Sequence, residues 1–422
     1  MRLERPISTY SSAELEALVI QMVRLDANWK SDNPKPCRIR QINRMVDLDD
    51  ILLLPGGRWL LLLNGGSSSR LTVVDLDTPN MDEQILAELG NVSPGEDAGY
   101  WGMYANIYER SLMLAWDAIV YKSGSSLHIN FMRFTTHNDC KNLLVENLNS
   151  LKIQTHQGRM YIPPGRPLQE ELVFITGNVL ERGRYRCEVI DWRSSTSEIH
   201  RKSVFLLGPS SASVVIVFVH ILACKERFIV RDGLGISIYH IPPFKMLPAI
   251  GQITAWPIMA SIWTYVVRPN ERAASIPMSI LTQPPTQQLR FVVATGQGLL
   301  QLVNIPDFNP ESILVRSHTP LYPWNAGFLG LRRGFQVSDE ATTGSQYWNF
   351  MTYAQVDNSN PSAWAVTENV YTPGEEVTRS FDLQYDWQLD EPSGRILIIS
   401  VAELDGVDDV IQIIDFVQGS WR

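Results

Sequence analysis

The amino-acid sequence predicts an all-β protein: a β-propeller of about seven blades, with one amphipathic helix in front of it. Six or eight blades would also fit. Two observations support this prediction. Short runs of strand-forming residues recur between turns, and after residue 36 almost no long segment keeps the 3.6-residue period of a helix. A large β-sandwich or two packed barrels are the competing architectures.

The helix is expected near the start of the chain. Ser11 and Glu14 have the spacing of a capping box, and apolar residues follow at helical spacing up to Trp29. Prolines 34 and 36 then disfavour helix and mark a linker. The chain is therefore divided into residues 1–36, with the helix and linker, and residues 37–422, with the propeller. A second, short helix is expected at residues 80–90.

The clearest strands lie between residues 51 and 77. The apolar runs 51–54 and 59–63 flank Pro55-Gly56-Gly57-Arg58, and since proline presets φ and glycine permits positive φ, this segment predicts a hairpin. Residues 71–76 supply a third strand. Such a meander cannot bury both faces alone and requires further sheets beside it.

Similar units recur along the rest of the chain, roughly 50–65 residues apart. Each contains an alternating run that ends at a polar residue or proline, and these runs are residues 71–76, 127–134, 185–192, 235–241, 299–305 and 410–416. One further unit fits at about 345–372. In a ring the last sheet must meet the first, and residues 38–43 are the natural strand to pair with the last one.

The composition argues against some classes of function and cellular location. The net charge of −9 argues against broad contact with nucleic acid or a membrane surface, because both are negatively charged and bind positively charged protein surfaces. The four cysteines are scattered without a Cys-x-x-Cys pair, which indicates free thiols in a reducing compartment. We therefore expect a cytoplasmic or nuclear protein, and a monomer.

Motifs of catalysis are missing from the sequence. It contains no Gly-x-Ser-x-Gly elbow, no His-Glu-x-x-His and no phosphate-binding Gly-Lys-[Ser/Thr] loop. The histidines are isolated, so paired metal ligands are also lacking. We predict a protein that is not an enzyme, with no catalytic residue, no metal site and no cofactor.

Tryptophan is the most informative residue type for recognition. The chain has 12 tryptophans, of which Trp29, Trp59 and Trp192 fit structural roles. Aromatic side chains near loops are typical of binding hot spots. The predicted partner-binding residues are Trp101, Trp116, Trp263, Trp324 and Trp348, although filling of gaps between blades is the competing explanation for each.

Two parts of the chain carry a family resemblance. Residues 12–16 (SAELE), 23–29 (VRLDANW), 34–36 (PKP) and 51–60 (ILLLPGGRWL) resemble the region just after the F-box in a large group of fungal F-box proteins. Residues 390–395 (DEPSGR) and 414–416 (IDF) resemble the end of that group. The resemblance therefore touches both ends of the chain.

The resemblance implies the role of a substrate receptor in an SCF-type ubiquitin ligase, where the F-box docks on the adaptor and the C-terminal domain holds the substrate. The F-box itself is not found ahead of the Ser11 helix, so the adaptor is an expected partner only if an F-box is present upstream. The predicted function is a non-enzymatic protein-recognition scaffold with a protein substrate. The alternative is a propeller-type glycoside hydrolase or carbohydrate-binding protein.

Overall fold

The structure of the protein is a computed structural model. It describes residues 10–44, 48–54, 56–64, 70–88, 97–106, 111–120, 126–136, 143–154, 160–161, 163, 165–166, 168–169, 171–179, 184–207, 218–222, 226–231, 235–248, 256–266, 278–283, 288–294, 300–305, 314–319, 326–329, 333–339, 346–355, 364–371, 384–390, 393–401 and 409–417.

Within these residues the chain forms one helix, α1 (Ser12–Trp29), followed by strands alone. The strands of the first half are β1 (Arg38–Arg44), β2 (Leu48–Leu53), β3 (Trp59–Asn64), β4 (Arg70–Asp75), β5 (Glu83–Glu88), β6 (Asp97–Asn106), β7 (Ser111–Val120), β8 (Ser126–Thr136), β9 (Leu143–Gln154), β10 (Met160–Tyr161), β11 (Gly165–Arg166), β12 (Leu168–Gln169), β13 (Leu172–Val179), β14 (Arg184–Asp191) and β15 (Ile199–Leu207).

The strands of the second half are β16 (Phe218–Ile221), β17 (Arg227–Arg231), β18 (Gly235–His240), β19 (Lys245–Pro248), β20 (Ile258–Met259), β21 (Trp263–Val266), β22 (Met278–Gln283), β23 (Gln288–Ala294), β24 (Leu300–Ile305), β25 (Leu314–His318), β26 (Ala326–Leu329), β27 (Arg333–Asp339), β28 (Gln346–Gln355), β29 (Trp364–Tyr371), β30 (Gln384–Asp390), β31 (Arg395–Val401) and β32 (Asp409–Asp415).

Hydrogen bonds join the described strands into seven sheets, numbered here along the chain. Sheets 1, 2, 5 and 6 consist of β2–β5, β6–β9, β22–β25 and β26–β29. Sheet 3 contains β10, β12–β15, β19 and β20, sheet 4 contains β11, β16–β18 and β21, and sheet 7 contains β30–β32 with β1. The prediction of a β-propeller after one N-terminal helix is confirmed. The sheets number seven, but only five have the plain four-stranded form of a propeller blade.

The inner strands of the sheets contact one another around the ring, and they include β2, β6, β12, β16, β22, β26 and β30. β2 contacts β6 on one side and β30 on the other, and β26 contacts both β22 and β30. β12 likewise contacts β6 and β16. The last strand in the hydrogen-bonding order of each sheet is therefore the outer one: β5, β9, β25, β29 and β1 in the four-stranded sheets, and β19 and β21 in the larger two.

The two ends of the chain meet in sheet 7. β1 pairs with β32 in antiparallel register, from Arg38 opposite Asp415 to Arg44 opposite Asp409. The prediction that residues 38–43 pair with the last strand is thus confirmed. Backbone hydrogen bonds between the first and last strands of the chain therefore close the ring.

Sheet 1 contains the predicted meander. β2, β3 and β4 pair in sequence, and the hairpin turn holds Gly56 and Gly57 at φ of 104° and 73°, a region that favours glycine. The predicted helix at residues 80–90 is wrong, because residues 83–88 form β5 at the outer edge of the sheet. Pairing with β4 satisfies more backbone groups than a short isolated helix can.

Sheets 3 and 4 exchange strands. β19 and β20 follow β18 of sheet 4 in the chain, but both pair with β15 of sheet 3. β11 lies just before β12 of sheet 3, but it pairs in parallel with β16 of sheet 4. The chain therefore returns to complete sheet 3 after forming the first strands of sheet 4.

Aromatic side chains fill the spaces between neighbouring sheets. Phe174 and Phe205 of sheet 3 lie 5.1 and 5.4 Å from the ring of Phe228 of sheet 4, measured between centroids. Phe131 of sheet 2 stacks on Trp192, which follows β14, at 4.7 Å. The structural role predicted for Trp192 is confirmed.

Helix α1 packs on the propeller between sheets 6 and 7. Leu25 and Trp29 are buried there, and the Trp29 ring lies 5.0 Å from Phe350 of β28. Gly394 has a φ of 68°, and a Cβ atom at this position would collide with the Leu25 side chain. The helix and the propeller therefore share one core.

Buried ion pairs join sheets 7 and 1. Arg395 Nε donates a hydrogen bond to Asp415 Oδ1 at 2.5 Å, and its Nη2 donates to Asp77 Oδ1 of sheet 1 at 3.0 Å. Its Nη1 donates to the Gly57 carbonyl. Burial alone would lower the pKa of Arg395, but the two carboxylates outweigh burial and raise it. Arg395 is therefore charged in the core of the junction.

Arg58 holds the equivalent place in sheet 1. Like Arg395, it follows a glycine of positive φ; Arg58 directly precedes the second strand of its sheet, and Arg395 begins the second strand of sheet 7. It pairs with Asp75, which ends the third strand as Asp415 does in sheet 7, at 3.1 and 2.7 Å. The two segments that carry the family resemblance therefore build the same turn and ion pair twice.

We expect Arg395→Met to destabilise the protein by about 3–5 kcal/mol, because Asp77 then loses its ion-pair partner inside the protein. Arg38→Met, at an exposed position of β1, is the control and should cost less than about 0.5 kcal/mol. Urea unfolding followed by tryptophan fluorescence measures both. Equal unfolding midpoints for the two variants would contradict the role given to Arg395.

Candidate functional site

Trp348, one of the predicted partner-binding residues, lies in the interior. Its side chain is 0% exposed, and its ring packs 5.7 Å from the rings of both Phe335 and Tyr371. Alternate residues of a strand face the same side, and on β28 Trp348 and Phe350 both face the core that holds α1. The prediction is wrong for this residue.

The other four predicted tryptophans are not brought together. Trp101 and Trp116 are cross-strand partners on β6 and β7, and their side chains lie outside the described residues. Trp324 also lies outside the described residues. Trp263 begins β21 at the outside of sheet 4 and is partly exposed. The partner-binding role of these four tryptophans stays a prediction.

The surroundings of Trp263 are an uncharged stretch of sequence. Residues 246–267 contain no Asp, Glu, Lys or Arg, although these four types make up 19% of the chain. We name residues 245–266 the outer segment, described at 245–248 and 256–266. It contains β19, β20 and β21 and covers the outside of sheets 3 and 4.

Apolar side chains of the outer segment are exposed to solvent. Met246 is 58% exposed, Ile258 52% and Ile262 38%. Ile199 of the adjoining β15 is also exposed. Large exposed apolar surfaces are uncommon on soluble proteins and often mark binding sites. Residue type alone indicates Trp263 but not these residues, and the absence of charged residues over 246–267 is the signal in the sequence that indicates them.

Backbone hydrogen bonds hold the outer segment on the propeller. The Leu206 N–H donates to the Pro257 carbonyl at 2.9 Å, and the Ile262 N–H donates to the Ile238 carbonyl at 2.8 Å. The first bond connects the segment to sheet 3 and the second to sheet 4. The exposed side chains therefore stand on backbone that is fixed to two sheets.

Arginine side chains stack under the aromatic rings next to these apolar residues. The Arg186 guanidinium lies 4.8 Å from the centroid of the Trp256 ring, and Arg201 lies 5.5 Å from the ring of Phe244. Each contact is within the range of a cation–π interaction. The rings are thus oriented by charges that belong to sheet 3.

A buried polar cluster in sheet 3 lies beneath the outer segment. Glu188 is completely buried, accepts a hydrogen bond from Lys202 Nζ at 3.1 Å and pairs with Arg186. Burial alone would raise the pKa of Glu188, but the two cations outweigh burial and hold the pKa below its ordinary value. Glu188 therefore remains ionised and fixes the guanidinium that supports Trp256.

His200 belongs to the same cluster. It lies opposite Leu247 of β19 in the strand register, is completely buried and has no hydrogen-bond partner at either ring nitrogen. Burial, assisted by the nearby Lys202 charge, lowers the pKa of His200 to about 4. The imidazole is therefore neutral at pH 7.

A second polar group bridges sheets 5 and 6. His318 of β25 pairs with Glu368 of β29, and Asn349 Nδ2 donates to the same carboxylate at 2.9 Å. Within the described ranges, no three His, Cys, Asp or Glu side chains group closely enough to hold a metal ion. This group therefore links the outer strands of sheets 5 and 6 through the pair of His318 and Glu368.

In the part of the chain that the structure describes, no helix has both the length and the apolar character required to cross a membrane.

No protein-family model and no curated protein matches the chain. Solved structures resemble it in fold. The WD40 domain of SCAP from fission yeast is 9% identical, covers 87% of this chain and 84% of its own, and has a TM-score of 0.45. Prolyl oligopeptidase B from Galerina marginata is 7% identical, covers 96% of this chain and 53% of its own, and has a TM-score of 0.47.

A third structure, the periplasmic gluconolactonase of Pseudomonas aeruginosa, is 11% identical, covers 84% of this chain and 94% of its own, and has a TM-score of 0.38. At such identities and TM-scores, the three likenesses carry no argument about function.

The pKa of His200 predicts a loss of stability in mild acid. In the unfolded chain the imidazole takes up a proton near its ordinary pKa of 6.5, whereas in the folded protein it does so only near 4. Protons thus favour unfolding as the pH falls from 6.5 to 4. At about 1.4 kcal/mol for each pKa unit, the loss is roughly 3 kcal/mol.

We expect His200→Asn to remove this part of the pH dependence, as measured by the free energy of urea unfolding at pH 7 and pH 4.5. His240→Asn, at an exposed position of β18, is the matched control and should keep the wild-type profile. If the His200 variant loses as much stability on acidification as the wild type, the assignment is incorrect.

Proposed function

We propose that this protein is a non-enzymatic propeller that binds a protein partner through the outer segment. The observation that carries the proposal is the exposure of the apolar side chains of Met246, Ile258 and Ile262 on backbone fixed to sheets 3 and 4. Cores of protein interfaces are depleted of charged residues and enriched in aromatic residues and methionine. Apart from Lys245 at its start, the outer segment has this composition.

We propose a substrate-receptor role for this surface on the basis of the resemblance to fungal F-box proteins. In that role the partner is a protein marked for ubiquitylation, and the propeller holds it. An F-box, where one precedes the chain, docks on the ligase adaptor. The buried thiol of Cys187, free within the described residues, supports the proposed location in the reducing cytoplasm or nucleus.

The alternative, a glycoside hydrolase or carbohydrate-binding protein, has less support from the described residues. A glycosidase requires two carboxyl groups facing one bond of the sugar. The buried Asp75, Asp77 and Asp415 are each paired with an arginine in the junction of sheets 7 and 1. Their surroundings fit a structural role.

We expect Ile258→Asp to weaken partner binding by at least about tenfold, because complex formation would bury an unpaired carboxylate. Ile85→Asp is the matched control, since Ile85 is 53% exposed on the outer strand of sheet 1. Proximity labelling in fungal cells, with a biotin ligase fused to each variant, compares the labelled proteins. For each protein whose labelling is lost only with Ile258→Asp, the dissociation constant of its complex with the wild type and with each variant is then measured.

The same experiment tests the receptor role. Proteins lost from the Ile258→Asp sample should have longer half-lives in cells that carry only this variant. Unchanged half-lives would contradict the receptor role and leave the binding role standing. Identical labelling by the wild type and both variants would contradict binding through the outer segment.

A further inference from the structure

The outer strands of the sheets differ in how their edges are protected. Natural proteins prevent unwanted pairing at an exposed edge with charged residues or proline. Six outer strands have at least one such residue: β1 and β25 contain arginine, β5 and β29 contain glutamate, β9 contains glutamate and lysine, and β19 contains lysine and proline.

β21 is the exception among the outer strands that the structure describes. Its sequence, Trp-Thr-Tyr-Val, contains neither a charged residue nor proline. It ends the hydrogen-bonding order of sheet 4. β20, also uncharged, is only two residues long and directly follows Pro257. Aromatic and β-branched residues are those that strands prefer, so β21 has the composition of a strand that accepts a neighbour.

The backbone of β21 is held in place from within sheet 4. The Thr264 hydroxyl lies 3.0 Å from the Ser237 hydroxyl of β18 and donates to the Ser261 hydroxyl at 2.8 Å. β21 pairs with β18 along its length, from Trp263 opposite Ile238 to Val266 opposite Gly235. A strand arriving at β21 would therefore meet a preformed edge, which lowers the entropy cost of binding.

Apolar side chains adjoin this edge on the chain. Ile258 and Ile262, both exposed, precede β21 by a few residues. In strand addition, backbone hydrogen bonds supply affinity, and contacts with alternate side chains supply specificity. The edge of β21 offers the backbone hydrogen bonds, and the exposed isoleucines offer the side-chain contacts.

We propose that the partner adds an extended segment as a further strand on the outer edge of β21. The inference rests on the proposed function and specifies its binding mode. The segment that fits is uncharged over about four to six residues, with apolar or β-branched side chains at alternate positions. A charged residue there would lose its hydration against an uncharged surface.

A partner protein fits this edge better than a second copy of the chain. Each copy carries a net charge of −9, and two copies joined at their edges would bring like charges within the Debye length of about 8–10 Å, where they repel each other. A short segment that extends from another protein does not bring that charge close. The oligomeric state in solution distinguishes the two occupants.

The test uses the full chain and a random 12-residue peptide library displayed on phage. We expect the wild type to enrich peptides with an uncharged, alternating apolar core. Thr264→Lys places on β21 the charge that the other outer strands possess, and it should weaken binding of an enriched peptide by at least about tenfold. Failure to enrich any such sequence would overturn the proposal.

Two variants serve as controls. Thr264→Val keeps the shape and the uncharged character of the strand and should bind within about threefold of the wild type. Thr367→Lys places the same charge at an exposed threonine of β29, the outer strand of sheet 6, and should have no effect on binding. Loss of binding with Thr367→Lys equal to that with Thr264→Lys would overturn the proposal.

Amide hydrogen exchange reports the binding mode directly. The enriched peptide should slow exchange at residues 263–266, since strand addition engages backbone groups, and it should not slow exchange in β29. Slowed exchange confined to other strands would overturn the proposal. So would a wild-type dimer, measured by light scattering, that Thr264→Lys converts to a monomer.

Comparison with the Ile258→Asp experiment separates the two proposals. Cellular partners that are lost with Ile258→Asp but retained with Thr264→Lys would overturn strand addition and leave the proposed function standing. Partners retained with both variants would contradict the proposed function as well.

Discussion

Arg395 links the last sheet of the ring to the first, and much of the ring closure depends on it. Its guanidinium is shared between Asp415 of its own sheet and Asp77 of the neighbouring sheet. Because a buried carboxylate without a partner is costly, these groups stabilise the junction only as a set. Pairing of β1 with β32 and the packing of α1 reinforce the same region.

Elements that depend on interactions between residues close in the chain could be predicted from the sequence. The turn at Gly56-Gly57 predicts its hairpin, and the capping box of Ser11 and Glu14 predicts the start of α1; both are present. The helix predicted at residues 80–90 is wrong, because hydrogen bonding to β4 outweighs a weak helical pattern in the sequence. The exchange of strands between sheets 3 and 4 could not be foreseen, since β19 and β20 find their partner across three other strands.

The candidate site shows a similar division. Trp263 was found from its residue type, yet the same criterion selected Trp348, which is buried because α1 and sheet 7 cover its face of β28. Exposure is a property of the assembled ring, and sequence spacing does not report it. The uncharged character of residues 246–267 is readable without a structure, but its meaning depends on its position outside two sheets.

The exchanged strands have a consequence for synthesis on the ribosome. Sheets 1 and 2 are made of consecutive strands, so each can form as soon as its own residues have emerged. Sheet 3 lacks β19 until residue 248 has been translated, by which time four of the five strands of sheet 4 have been made. The two sheets therefore mature together as one cotranslational unit. Loss or duplication of the strands encoded at this point in the gene would break both sheets, whereas in sheets 1, 2, 5 and 6 it would remove or add only one sheet.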